Sequence, residues 1–211
     1  MKKLLLVSAL ISAGAFANAQ SFQKGRFFIQ ISEGGTTTHI ATDGDSRHHG
    51  DEGGDRDPLT IEYGLTDKVG VGLNIGTDLY KVDASKYFGF EPRSKYAQMF
   101  FSETTLDFNY HFYNTKKLDL SSFFSVGLAV TTLKGDDFGE GGYQYNAKGN
   151  IVRTGAKMKY YFSRRFGIMA MVSGYTAKCS PFAVSGNNVA KNVTTNLTGW
   201  AFEFGPCFKF R

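Results

Sequence analysis

The densest collection of chemically able groups lies in one short stretch. Asp43, Asp45, His48, His49, Asp51 and Glu52 crowd a segment that also carries four glycines, Asp55 and Asp57. Carboxylate oxygens suit a hard cation such as calcium, and an imidazole pair suits a transition metal. The order of ligands departs from the EF-hand loop, and a solvated, glycine-rich loop has the same composition. These six residues therefore stand as a candidate metal site, and no resident cofactor is expected. A second set of charged groups recurs along the whole chain: Arg26, Glu62, Glu103, Asp107, Arg153, Lys157, Lys159, Glu203 and Lys209. Each occupies the polar side of an alternating stretch. Brought together, charges of both signs would form a paired network, because buried charges persist only when paired.

Two further patterns carry less. Gly70, Gly72 and Gly76 miss the spacing of a nucleotide-binding G-x-G-x-x-G, and no helix pattern follows them. They continue a strand alternation in which small residues leave room for large neighbours. Cys179 and Cys207 would lie roughly 30 Å apart on a spanning strand, beyond disulfide reach. No bridge is expected between them.

The elements that must position the charges are strands. From Leu59 to Thr77, Leu59, Ile61, Tyr63 and Leu65 share one face, and after Thr66-Asp67-Lys68 so do Val69, Val71, Leu73 and Ile75. Side chains of a strand alternate between faces, so period two means one greasy face and one polar or small face. The same pattern marks Gly25–Ser32, Phe100–Phe112, Leu118–Thr132, Asn150–Phe162 and Thr198–Phe210. Phe166–Tyr175 is less clear, because Met169 and Met171 blur its polar face. Eight strands result.

The connections alternate too. Thr66–Lys68, Tyr113–Lys117 and Ser163–Arg165 are short, whereas Gly34–Pro58, Asp78–Met99, Lys134–Asn146 and Ala177–Val193 read as long polar loops. All long loops then lie at one end and both termini at the other, as in transmembrane barrels. Aromatics cluster near the short turns, at Tyr110, Phe112, Tyr113, Tyr160, Tyr161, Phe162, Phe166, Phe208 and Phe210, where an interfacial girdle would sit. The expected fold is all-β, an eight-stranded antiparallel up-and-down transmembrane β-barrel. Its interior is just wide enough for side chains, so the charges are expected to plug it.

Residues 1–19 read as a cleaved targeting segment: Lys2-Lys3, an apolar run from Leu4 to Phe16, then Ala17-Asn18-Ala19. Cleavage after Ala19 leaves one domain, 20–211, with no later apolar run long enough for a spanning helix. Loss of Lys2 and Lys3 takes the net charge from +5 to +3, too small a balance to argue for nucleic acid.

The targeting segment, the Glu62-Tyr63-Gly64-Leu65-Thr66-Asp67 hairpin and the Phe-rich closing stretch Gly199–Phe210 resemble small bacterial outer-membrane β-barrel proteins. The resemblance is to relatives of the OmpA transmembrane domain and OmpX, of Bacteroidetes type. It implies a monomer in the cell outer membrane, with periplasmic termini and extracellular long loops. Implied partners are outer-membrane lipid and lipopolysaccharide, the outer-membrane assembly machinery and an extracellular surface ligand. Such barrels often end on an aromatic residue, whereas here Arg211 follows Phe210. The expected role is structural or surface-interacting and not enzymatic. The alternatives are a narrow porin-like channel, a soluble lipocalin-like ligand-binding barrel and a lipid A-modifying enzyme. Against the last, none of His39, His48, His49 or His111 has Ser two residues on, as a lipid A deacylase would require. His48 or His49 with Asp43 and Ser46 only loosely imitates an acyltransferase set.

Overall fold

A segment whose side chains alternate in character must pair its backbone on both sides, and a closed sheet does this without leaving an edge. The computed structural model describes residues 21–44, 48–83, 97–135, 143–185 and 192–210. Its regular structure is nine strands: β1 Phe27–Ile31, β2 Glu33–Gly44, β3 His48–Gly64, β4 Val69–Val82, β5 Ala97–Asn114, β6 Leu118–Gly135, β7 Tyr143–Tyr161, β8 Phe166–Ser185 and β9 Val193–Phe210. All pairings are antiparallel, and β9 closes the ring onto β1 and β2. β1 and β2 are one wall strand interrupted at Ser32. Gln30 faces Thr60 and Gly34 faces Arg56 without a change of register, and on the other side Gln30 faces Cys207 and Glu33 faces Phe204. The expected eight-stranded up-and-down barrel is the architecture observed.

The register fixes the barrel's shape. From Ile61 the pairing runs through Leu73, Leu106, Val126, Val152, Thr176, Thr198 and His39 and returns to β3 at Asp51. Residue 51 lies ten positions from residue 61, so the shear is ten for eight wall strands. With ordinary strand rise and spacing this tilts the strands by roughly 40–45°. Each step round the wall then climbs a little over one residue towards the long-loop end.

One expectation is corrected. Gly34–Pro58 is not a loop but a β-hairpin, paired from Gly34 against Arg56 to Thr42 against His48. The other strands also run on into stretches read as loops, reaching Val82, Gly135 and Ser185 and starting at Ala97, Tyr143 and Val193. The central residues of the other three loops lie outside those described.

The wall changes character with height. Near the short turns the outer face is apolar: on β9 Phe210, Phe208, Pro206, Phe204, Phe202 and Trp200 point outward. Ten residues at this tilt give an apolar band roughly 24 Å tall, the height of a bilayer's hydrocarbon core as outer-membrane barrels span it. Above it the faces exchange roles. Lys81, Gln98, Lys134, Lys148 and Lys178 point outward, while Ile40, Met99, Phe101, Leu133, Tyr145 and Leu197 form an apolar core inside. Met169 and Met171 turn inward, joining Phe28, Phe123, Tyr161 and Cys207 near the short-turn end.

Candidate functional site in the barrel lumen

Period two puts every second residue of eight walls into one narrow lumen, so the charged residues meet whether or not they are near in sequence. They form two tiers. In the upper tier the Arg56 guanidinium, fully buried, binds three carboxylates from three walls: Asp78 at 2.6 Å, Glu103 at 2.5 Å and Glu203 at 2.6 Å. The second oxygen of Glu103 accepts from Arg153 Nη2 at 2.8 Å. Arg153 also donates to Ser173 Oγ at 2.9 Å and stacks over Tyr175 at 4.5 Å. Tyr80 donates to Asp78 and, with Tyr175, Thr36 and Thr38, forms a hydroxyl cluster capping the tier. Planar guanidinium groups supply forked donors, so two arginines can tie β3, β4, β5, β7, β8 and β9 together.

The lower tier is a closed ring of four groups. Lys159 Nζ binds Glu62 at 2.6 Å and approaches Asp119 at 3.8 Å, while His111 bridges the same carboxylates at 2.9 and 2.7 Å. Each imidazole nitrogen of His111 thus meets a different carboxylate, so one side chain joins β5 to both β3 and β6. Between the tiers, Lys157 pairs with Asp107 at 3.3 Å and lies over the Phe123 ring at 4.5 Å.

Of the nine charged residues expected in the lumen, seven are in these contacts. Arg26 is only half-buried at the short-turn rim, and Lys209, though buried, donates to the Ser21 carbonyl instead of a carboxylate. Four members escaped the sequence reading. Arg56 and Asp78 lie in stretches read as loops, and His111 and Asp119 were on the polar face without being nominated. The signal for Arg56 was an opposite pair: it faces Asp78 directly across β3 and β4. The glycines of β4 make the required room. A Cβ at Gly76 would lie 3.1 Å from the Arg56 guanidinium, and one at Gly70 would lie 2.4 Å from Glu62 Oε1.

The short-turn mouth is closed by Ser21 and Phe22, which precede β1. Phe22 is buried and stacks on His111 with ring centroids 3.4 Å apart. Ser21 hydrogen-bonds Asn114 and the Thr115 carbonyl, the Phe22 amide donates to Asn114 Oδ1, and Asn114 returns a bond to the Phe22 carbonyl.

The five candidate metal ligands among the described residues are not brought together. The hairpin's alternation leaves Asp43, His49 and Asp51 on the outer face and turns His48 and Glu52 to the other, while Asp45 lies outside the described residues. Among the described residues no three His, Cys, Asp or Glu side chains are grouped to hold an ion. His39, which was not a candidate, pairs with Asp51 at 2.8 Å on the exposed outer face. Both cysteines are buried and free, and Cys179 lies within β8, not in a loop.

A closed wall of eight antiparallel strands, apolar outside and ion-paired inside, defines the fold of the small outer-membrane β-barrel proteins. No family model matches the chain, and no curated protein matches it. Among solved structures it is similar to the outer membrane protein OprG from Pseudomonas aeruginosa, at 15% identity and a TM-score of 0.54, over 92% of this chain and 99% of that one. The outer membrane protein AlkL, solved in lipid bilayers, is 12% identical with a TM-score of 0.55, over 92% of this chain and 94% of that one. The outer membrane protease OmpT from Escherichia coli is 10% identical with a TM-score of 0.46, over 90% and 98%. At these identities the likeness is one of fold.

Proposed function

We propose that this chain is an outer-membrane barrel with a sealed lumen, whose long-loop end is held above the outer leaflet to make surface contacts. Residues 1–19 direct export and are removed after Ala19, the termini are periplasmic and the long loops extracellular. The observation carrying this reading is the wall-to-wall network of Arg56, Arg153 and their carboxylates. A lumen crossed by paired side chains offers ions no continuous water path. Above it, the apolar core around Phe101, Leu133 and Leu197 stiffens strands that run past the apolar band, giving the loops a rigid platform. No catalytic residue is assigned.

Two experiments test this. An epitope inserted between residues 186 and 191 should be labelled on intact cells, and labelling only after permeabilisation would overturn the orientation. The purified protein should leave planar bilayers silent, and reproducible step openings would overturn the seal. A narrow channel is the second reading. It is favoured by the buried polar atoms of Asn74, Asn109, Ser121 and Ser125, which have no partner among the described residues and leave places for water.

A further inference from the structure

The apolar band has one flaw, where the wall strand breaks at Ser32. The pairs on either side, Ile31 with Leu59 and Gly34 with Arg56, set Glu33 opposite Asp57. Both side chains are exposed on the outer face. They border a groove of about 640 Å³ whose apolar lining includes Leu59, Ile75, Phe204 and Pro206. With the tilt allowed for, the carboxylates lie level with Ile75, Leu106, Val126, Val172 and Phe202. That is about 4–7 Å below the level of Leu128 and Trp200.

Two like charges on a lipid-facing surface within the apolar band are costly and call for a counter-charge. The described residues do not supply one. Neither carboxylate has an ion pair among the described residues, and the outward residues at that depth on the other walls are apolar or Thr. A second copy side by side would therefore present no cation at this height. The missing charge must come on an occupant that is itself apolar below its head.

We propose that this groove docks a membrane lipid with a free ammonium headgroup. The ammonium lies between Glu33 and Asp57, and an acyl chain runs down over Ile31, Leu59 and Phe204. A primary ammonium donates three hydrogen bonds and matches two carboxylates, which a quaternary head cannot do by hydrogen bonding. The inference rests on the membrane placement proposed above.

The test uses the full mature chain folded into vesicles of phosphatidylethanolamine and phosphatidylglycerol. The protein is then extracted gently and its retained lipid measured by mass spectrometry, with heat-dependent gel mobility as the check on folding. Phosphatidylethanolamine should be enriched over the bulk mixture, and E33Q/D57N should lower that enrichment about five- to tenfold. The double variant removes charge from the lipid face, so its folding should not suffer. A folded wild type with no enrichment, or equal enrichment in the double variant, would overturn the inference while leaving the barrel intact. Calcium-dependent retention of phosphatidylglycerol would also overturn it, by assigning the carboxylates to a bridging cation. A chain that never becomes heat-modifiable would overturn the membrane placement itself.

Discussion

At the scale of single residues, Arg56 is the group on which the lumen depends most. It neutralises three carboxylates at once, so its removal leaves Asp78, Glu103 and Glu203 facing one another with Arg153 as their nearest cation. Arg56→Ala should destabilise the folded barrel by about 3–5 kcal/mol, the usual cost of breaking a buried pair. Urea titration of folding into vesicles would measure it. Glu203→Gln should cost much less, because the amide oxygen still accepts from Arg56 Nε and Ser32 Oγ keeps a partner. Equal losses in the two variants would show that the network is held by packing and not by charge. Gly70 makes a related prediction. Glu62 is pinned by Lys159 and His111, so making room for a new Cβ at 2.4 Å strains those bonds. Gly70→Ala should displace Phe22 or Glu62 and lower stability by about 1–3 kcal/mol in the same titration.

At the scale of elements, the segment before β1 and the upper strands tell different stories. Ser21–Gly25 behaves as a stopper, with Phe22 as its head over His111 and Lys209 holding the Ser21 carbonyl. Cys207 lies in the same apolar cluster as Phe22. Phe22→Ala should therefore speed the reaction of Cys207 with a small thiol reagent while leaving Cys179, at the other end of the lumen, unreactive. Equal rates before and after the substitution would show that Ser21–Gly25 does not shield the mouth. The strands within the apolar band were legible in the sequence, because outward Phe, Leu, Ile and Val alternate with inward charge and glycine. The upper strands were not, and β3 shows why. Its outward residues change from Leu59, Ile61 and Tyr63 to Asp51, Gly53, Asp55 and Asp57, so the greasy face vanishes although the alternation of the backbone continues. In β5 the apolar face moves from Phe108 and Leu106 outside to Phe101 and Met99 inside. A pattern that changes sign along one strand reads as an interruption. That is why Arg56 and Asp78, two of the five charged groups of the upper tier, read as loop residues.

At the scale of the whole molecule, the exchange of faces reconciles two readings that seemed exclusive. Below the exchange the barrel is built for lipid, apolar outside and charged inside. Above it the barrel is built like a soluble one, with Lys81, Lys134, Lys148 and Lys178 outward and an apolar core within. In the orientation proposed above, lipopolysaccharide phosphates would meet these lysines just above the apolar band, an attraction that salt should weaken. The closed ring also predicts that the protein migrates faster in SDS before boiling than after. The most direct test of the lipid-facing band uses the chain's single tryptophan. Trp200 is more than half exposed on the outer face near the top of that band. In reconstituted vesicles its emission should be blue-shifted, and bromines high on the acyl chains should quench it more strongly than bromines near the chain ends. Emission like that of a tryptophan in water, unaffected by brominated lipid, would contradict the account and place this face of the barrel in solvent.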